Sequence, residues 1–414
     1  MRELFRNRRF MIFWLGQAVS VVGDGMAPIA AAALALRYHG PTGLGAVLAA
    51  TSVGYGAALL GGGVIADRFS RTSVMAVGDL LRAGSACALI VLFGRAPLGA
   101  VCAFAAVVGV GMALFQPAYR AALAQLLPED QLRRANALQG MVNRGGYVLG
   151  AALAGVLVAT VGPRLAYAVD AATFGVSVAT LLVIRLPRLP HGGSAGMSGA
   201  LRDAIEGLKV VWRVPWAAIV MAQGTLQVLA GFAPIHVLLP IVATERYGDG
   251  AFGLLTAAEG IGLIIGSALA LRLRPRREGV AAMHGVAAIG LVCLCFVLPV
   301  PMWAFAAAQV VGWAGIGVFV TLWFPALQRE FPHAVQGRVF ALESLATFAL
   351  QPVGLMLTPW LAGAVGVPAL GVVTAVVIVS SSYAVLAVRG VPTLGARPRA
   401  SVPDAVLEPA ATAA

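Results

Sequence analysis

The sequence predicts an all-α membrane protein whose twelve transmembrane helices form two pseudo-symmetric six-helix bundles. Three observations lead to this fold class: a scarcity of charge, twelve long apolar runs, and a repeat that relates the two halves. The 414 residues are 60% hydrophobic and only 11% charged, and the mean hydropathy is +0.89. Soluble domains carry about 25% charged residues, so this chain has too few charges to cover a soluble surface.

The apolar runs are long enough to cross a bilayer as helices. A transmembrane helix needs about 20 mostly apolar residues. The runs predict spans at 10–36, 44–66, 72–94, 98–119, 137–160, 164–184, 216–243, 251–271, 280–298, 302–324, 339–361 and 366–388. The first run is too long for the apolar part of a signal peptide, so we interpret it as a retained span.

The distribution of basic residues orients these spans. Twelve crossings put both termini on one side, and most loop arginines fall on that side. The opposite side holds Arg37, Arg95, Arg164 and Arg246. The positive-inside rule therefore predicts cytoplasmic termini, and the net charge of +12 reflects topology instead of a nucleic-acid partner. Arginine replaces lysine almost throughout, which fits a GC-rich bacterial gene, so we expect a multi-pass protein of a bacterial cytoplasmic membrane.

The longest polar insertion divides the chain in half. We expect an N-terminal six-helix bundle over 1–185, a central cytoplasmic loop over 186–214, a C-terminal six-helix bundle over 215–390 and a disordered cytoplasmic tail over 391–414. The end of the loop, LRDAIEGLKVVWR, has helical spacing and is expected to lie along the membrane surface.

The two halves repeat at a nearly constant offset. Gln17 aligns with Gln223 and Pro28 with Pro234, in spans one and seven. Because each half has six spans, the repeats are parallel and related by an axis along the membrane normal. Two such bundles typically rock about a binding site near the bilayer midplane.

The loop between spans two and three carries a recognisable pattern. Gly63-x-x-Ala66-Asp67-Arg68-x-x-Arg71 resembles the signature loop of the major facilitator superfamily. Further stretches resemble its bacterial drug:proton antiporter branch, which includes macrolide and siderophore exporters. They are FWLGQAVSVVGDGMAPIA, GDLLRA, ALFQPAYRAALAQLLPEDQLRRANAL and YAVDAATFGVSVATLL.

This resemblance implies the major facilitator fold and a gating role for the signature loop. The expected gating residues are Gly63, Asp67, Arg68, Arg71 and Arg338. We expect Asp67 to accept bonds from a helix N-terminus or from Arg338. Such contacts would hold the bundles together in the outward-facing state and release when the cavity opens inward.

Ionisable residues at bilayer depth are candidates for function, because each costs at least about 2.5–3.5 kcal/mol to insert. They are Asp24, Asp79, Arg82, Arg144, Asp170, Glu259 and Glu343. Asp79 and Arg82 are three residues apart and share a helix face, so we interpret them as a structural pair. Glu343 also has a structural interpretation, through Arg338 or the signature loop.

The remaining charges are candidates for proton coupling. Asp24 lies mid-span between two glycines, and a carboxylate in a low-dielectric cavity can load and release a proton near neutral pH. Glu259 is the second carboxylate candidate, with tight helix packing as its alternative. Arg144 is expected to be buried, where it would discharge a carboxylate or hold an anion. Asp170 ranks lower because it lies near the outer face and can snorkel.

An amphipathic ligand needs an apolar, aromatic pocket with a few polar groups. The residues expected to line such a pocket are Gln17, Gln223, Trp313, Phe319, Trp323 and Phe324. His236 is deep enough to join a relay, although a lone hydrogen-bonded histidine is the simpler interpretation. We expect no cofactor and no metal, since Cys293 and Cys295 point to different sides of a helix.

These observations predict a transporter and not an enzyme. The leading hypothesis is a proton-coupled efflux antiporter for amphipathic small molecules, acting by alternating access. Its expected partners are the lipid bilayer, a small-molecule substrate and protons, and it is expected to function as a monomer. Proton-coupled uptake of a nutrient or metabolite and a transport-inactive membrane sensor are the alternatives.

Overall fold

The computed structural model of the chain describes residues 4, 6–92, 94–187, 206–273, 275–348 and 350–395. All regular elements in these ranges are helices. The α-helices are α1 (Arg8–Arg68), α2 (Arg71–Val91), α3 (Leu98–Leu126), α4 (Glu129–Thr160), α5 (Pro163–Ile184), α6 (Pro215–Gln227), α7 (Ala233–Tyr247), α8 (Ala251–Leu273), α9 (Glu278–Ala287), α10 (Gly290–Val297), α11 (Met302–Glu330), α12 (His333–Phe348), α13 (Gln351–Val365) and α14 (Val367–Ala384).

Helix α1 is bent into two arms. Gly40 has φ 66° and ψ −170°, a backbone conformation that residues with a side chain rarely adopt, and Pro41 follows it. The arms, 8–39 and 41–68, are each long enough to cross a bilayer. Eleven helical stretches of the described chain are long and apolar enough to span a membrane, and bent α1 supplies the first of them. The count of twelve crossings predicted from the sequence is therefore confirmed.

Several spans predicted as continuous helices are interrupted. A π-helix at Val228–Phe232 joins α6 to α7. Short breaks separate α9 from α10 and α12 from α13. Residues 206–212 are helical, as predicted for the end of the central loop, whereas 188–205 lie outside the described residues.

The start of the predicted disordered tail is ordered. Residues Val391–Thr393 form a turn of 3₁₀-helix, and Val391 and Leu394 are buried in the core of the second half. The prediction of disorder was wrong for residues 391–395, because the side chains of Val391 and Leu394 pack into that core. Residues 396–414 lie outside the described part of the chain.

The two halves share a core at one end of the molecule only. We call the end near residues 40, 161 and 248 the far end, and the opposite end, near the chain termini, the termini end. One hydrophobic core at the far end combines first-half residues such as Met26 with second-half residues such as Val237. At the termini end each half has a separate core. The molecule is thus sealed at the far end.

Glycines bring the halves into close contact at this seal. A Cβ atom at Gly155 of α4 would lie 2.7 Å from the carbonyl oxygen of Gly250, which directly precedes α8. It would lie 3.1 Å from the Cα of Gly253, inside α8. A Cβ at Gly45 would lie 2.6 Å from the carbonyl oxygen of Leu355, on α13. A larger residue at these positions has no space while the seal is closed.

We expect Gly155→Leu to open the far end. Overpacking costs about 1–3 kcal/mol, which corresponds to a shift of roughly 5-fold to 150-fold in favour of conformers with a separated far end. The measurement is the distance between spin labels placed at Thr160 and Asp249. Gly175→Leu is the matched control, because a Cβ at this lipid-exposed glycine meets nothing within 4 Å; an equal change in both variants would contradict the role of the contact.

Candidate functional site

A cluster of one base and three acids lies inside the first half. Asp24 is on α1, Asp79 and Arg82 are on α2, and Asp170 is on α5. Glycine on either side of Asp24 allows α1 to approach its neighbours. A Cβ at Gly23 would lie 2.7 Å from Asp170 Oδ1. These contacts place the carboxylates of three helices near a single guanidinium.

Arg82 is the centre of this cluster. Its side chain is only 4% exposed, and its Nη1 donates to Asp24 Oδ1 at 2.6 Å while its Nη2 donates to Asp79 Oδ1. The guanidinium also lies over the rings of Phe174 and Phe115, with its carbon 4.3 Å and 5.0 Å from their centroids. A planar fork that serves two carboxylates and stacks on aromatic rings is specific to arginine.

Of the two carboxylates that bind Arg82, Asp79 is the more buried. It is 0% exposed, and Ser177 Oγ donates to its Oδ2 at 2.5 Å. Ser177 in turn accepts a bond of 2.9 Å from Gln17 Nε2. The contact between Asp79 and Arg82 expected from their spacing is present, but the pair is one part of a larger network.

Asp24 and Asp170 differ in their access to solvent space. The Asp24 side chain is 36% exposed and lines a cavity. Asp170 is only 2% exposed, so the expectation that it snorkels was wrong. Its Oδ1 atom has no hydrogen-bond partner among the described residues. The cluster thus contains two buried carboxylates and one that is open to a cavity, around a single guanidinium.

A cavity of about 500 Å³ lies in the second half. Five of the six residues predicted to line an aromatic pocket surround it, namely Gln223, Trp313, Phe319, Trp323 and Phe324. The sixth, Gln17, was assigned wrongly: it is 2% exposed and forms the buried bond to Ser177. Glu343, which the sequence suggested for a structural contact, lines this cavity too.

A smaller cavity of about 230 Å³ adjoins the charged cluster. Asp24, Arg82 and Asp170 line it, together with apolar residues of the first half. His236 and Gln351 line both cavities, so the charged and aromatic regions meet at these two residues. Sequence reasoning gave His236 a simple structural interpretation because nothing in its neighbourhood, APIHVLLP, indicates which cavity its ring faces.

Two predicted coupling residues lie apart from the cluster. Arg144 is exposed, and no carboxylate of the described chain forms an ion pair with it, so its assignment as a buried base was wrong. Glu259 is half-buried and makes no hydrogen bond or ion pair within the described residues. It lies beside Gly260, where α8 packs on Val148 of α4, and it lines neither of the two cavities described above.

The predicted gating residues are only partly described. The side chains of Asp67 and Arg68 and the surroundings of Gly63 lie outside the described residues, although the backbone of all three belongs to α1. Arg71 is buried at the start of α2. Arg338 forms an ion pair of 3.1 Å with Glu206, which connects the 206–212 helix to α12.

We expect Arg82→Met to lower the thermal stability strongly, because it leaves buried Asp79 without its cation. Breaking one partner of a buried ion pair costs about 3–5 kcal/mol. The double variant Arg82→Met/Asp79→Asn should recover part of that loss. Melting temperatures of the purified protein in detergent measure both effects, with exposed Arg144→Met as the control. A loss of stability as large in the control as in Arg82→Met would contradict the central position of Arg82.

Comparisons with known proteins agree with this architecture. The sequence pattern of the Major Facilitator Superfamily matches residues 13–342. The multidrug efflux pump Tap of Mycolicibacterium fortuitum is 28% identical over 366 residues, which cover 84% of this chain and 87% of that protein. Macrolide efflux protein A of Streptococcus pyogenes is 23% identical, over 87% of this chain and 90% of that protein.

Solved structures share the fold. A crystal structure of a D-xylose-proton symporter superposes with a TM-score of 0.69 at 14% identity, over 92% of this chain and 98% of that one. A bacterial homologue of the iron transporter ferroportin, in its inward-facing state, gives a TM-score of 0.69 at 17% identity over the same shares. With a sequence pattern that covers most of the chain and a shared twelve-helix architecture, this protein belongs to the Major Facilitator Superfamily.

Proposed function

We propose that this protein is a proton-coupled exporter of amphipathic small molecules, an antiporter and not an enzyme. The observation that carries the proposal is Asp24, which contacts Arg82 at 2.6 Å and is also open to a cavity. The names of two relatives, a multidrug efflux pump and a macrolide efflux protein, support export. One chain contains both cavities and the charged cluster, which supports function as a monomer.

The orientation in the membrane follows from charge. The termini end carries most of the loop arginines, so we place it in the cytoplasm of a bacterium. The sealed far end then faces outward, and the structure corresponds to an inward-facing state. In this state, the cavities are positioned to take up a molecule from the cytoplasm or the inner leaflet.

The larger cavity has the composition that an amphipathic ligand requires. Its volume of about 500 Å³ lies within the range of small-molecule sites. Trp313, Phe319 and Trp323 line it with aromatic rings, and Gln223 is among its few polar lining residues. Aromatic walls with few polar groups tolerate many ligand shapes, which suits a transporter of several drugs.

The ion pair between Asp24 and Arg82 supplies a coupling mechanism. Protonation of Asp24 removes the charge that attracts Arg82, while Asp79 keeps the guanidinium in place through its own bond and that of Ser177. Helix α1 is then released from α2. Loss of the proton restores the pair, so each cycle can exchange a proton for a substrate molecule.

We expect Asp24→Asn to abolish substrate-driven proton movement, because an amide cannot carry the proton. The measurement is proton flux in proteoliposomes under an imposed drug gradient, compared with wild type and with Asp249→Asn, a control at the far-end surface. Proton movement opposite to the drug supports antiport, whereas movement in the same direction would indicate uptake.

Glu259→Gln tests the second carboxylate in the same assay. Since Glu259 lies apart from the charged cluster, we expect this variant to keep at least about half of the wild-type flux, in contrast to Asp24→Asn. Unaltered flux in both variants would exclude our assignment of the coupling group.

Gating at the termini end is proposed to use the signature loop, which connects the second arm of α1 to α2. We propose that Arg338, which pairs with Glu206 here, pairs with Asp67 when the cavity opens outward. Asp67→Asn should then reduce transport severalfold without reducing drug binding, because it weakens one conformation and leaves the cavity intact. Transport rates in proteoliposomes and equilibrium binding in detergent test this, and a normal transport rate would refute it.

A further inference from the structure

His236 occupies the junction of the two cavities. It lies on α7, one turn after the π-helix at Val228–Phe232, and it is exposed to interior space. The larger cavity places it among aromatic side chains, and the smaller one places it in the same wall as Asp24 and Asp170. A π-helical turn inside a longer helix often marks a functional position.

The hydrogen bond of the ring fixes its tautomer. Nδ1 lies 2.7 Å from the carbonyl oxygen of Phe232, and since a carbonyl only accepts, Nδ1 carries the hydrogen. In the neutral ring, Nε2 is therefore an acceptor. Nε2 has no partner among the residues that the structure describes, and the ring edge packs against Trp313 with centroids 6.4 Å apart. The imidazole is thus held in one orientation with one acceptor unused.

The two cavities that His236 lines differ in character, one charged and the other aromatic. The charged groups that share its cavities are Asp24, Arg82 and Asp170 from the first half and Glu343 from α12. Gln351, at the start of α13, is the other residue common to both cavities, and its amide makes no hydrogen bond within the described chain. A molecule that occupies both cavities lies against the wall that contains these two side chains.

We propose that His236 is a substrate-binding residue, whose Nε2 accepts a hydrogen bond from an N–H or O–H group of the transported molecule. This rests on the proposed function. The ligand class is an aromatic or apolar amphipath with a hydrogen-bond donor, which binds with its apolar part against Trp313 and Phe319 and its donor at His236. Molecules of similar size and charge that have no donor bind without this contact.

Two substitutions separate this contact from a structural role. The amide nitrogen of Asn reaches the position of Nδ1, so His236→Asn keeps the bond to Phe232 and removes the group at Nε2. The amide of Gln reaches the position of Nε2, so His236→Gln restores an acceptor there. Both variants are compared with wild type as full-length protein in detergent, after their melting temperatures have been measured.

The probes are ethidium, an aromatic cation with amino groups that donate, and tetraphenylphosphonium, an aromatic cation with no donor. We expect His236→Asn to weaken ethidium binding roughly fivefold to tenfold and His236→Gln to recover most of it. Tetraphenylphosphonium binding should change less than about twofold in either variant. Fluorescence titration measures ethidium, and radiolabelled equilibrium binding measures tetraphenylphosphonium.

The outcomes distinguish this assignment from the proposed function. An equal loss for both probes in His236→Asn, or no loss for ethidium, overturns the assignment of His236. Wild-type protein that binds neither probe overturns the proposed function and this inference with it. Wild-type protein that shows the expected ethidium pattern but no proton-coupled flux supports the assignment of His236 and contradicts only the coupling mechanism.

Discussion

The structure depends on one guanidinium placed at bilayer depth. Arg82 is buried, so its charge must be matched inside the protein, and the match joins α1 to α2. Asp79 matches it on its own helix and Asp24 matches it from α1. Asp79 also accepts a hydrogen bond from Ser177, whereas Asp24 is open to a cavity. The same charge therefore has one enclosed partner and one partner open to a cavity, which is the arrangement that the proposed coupling mechanism requires.

The two halves use one scaffold for different chemistry. In the first half Gln17 donates to Ser177, and in the second Gln223 donates to Ser382 at 3.5 Å, so a repeated polar contact joins the first and last helices of each bundle. Around this contact the first half adds acids and Arg82, whereas the second half adds Trp313, Phe319 and Trp323. Duplication thus explains the shared framework, and later substitution explains why the charged residues line one cavity and the aromatic residues line the other.

The spans were predictable because the bilayer imposes a length and a polarity on each crossing. The pair Asp79 and Arg82 was predictable from helical spacing. The partnership of Arg82 with Asp24 was not, because it joins residues 58 positions apart on helices whose rotation depends on packing. The same limit explains the errors at Gln17 and Arg144, since an apolar span has little pattern to show which side faces the cavity.

The position of Asp24 on α1 bears on the proposed coupling, which requires a proton to act at a distance. Less than one turn after it, Met26 enters the core that seals the far end, and Ile29 and Ala30 continue that contact. The arm 8–39 is helical with Pro28 inside it, so a change in its angle to α2 at Asp24 would act first on Met26, which precedes that proline. Glycine contacts at the seal, such as Gly155 on Gly253, allow close packing without interlocking side chains. In the proposed cycle, this seal separates and reforms as the ion pair between Asp24 and Arg82 breaks and closes.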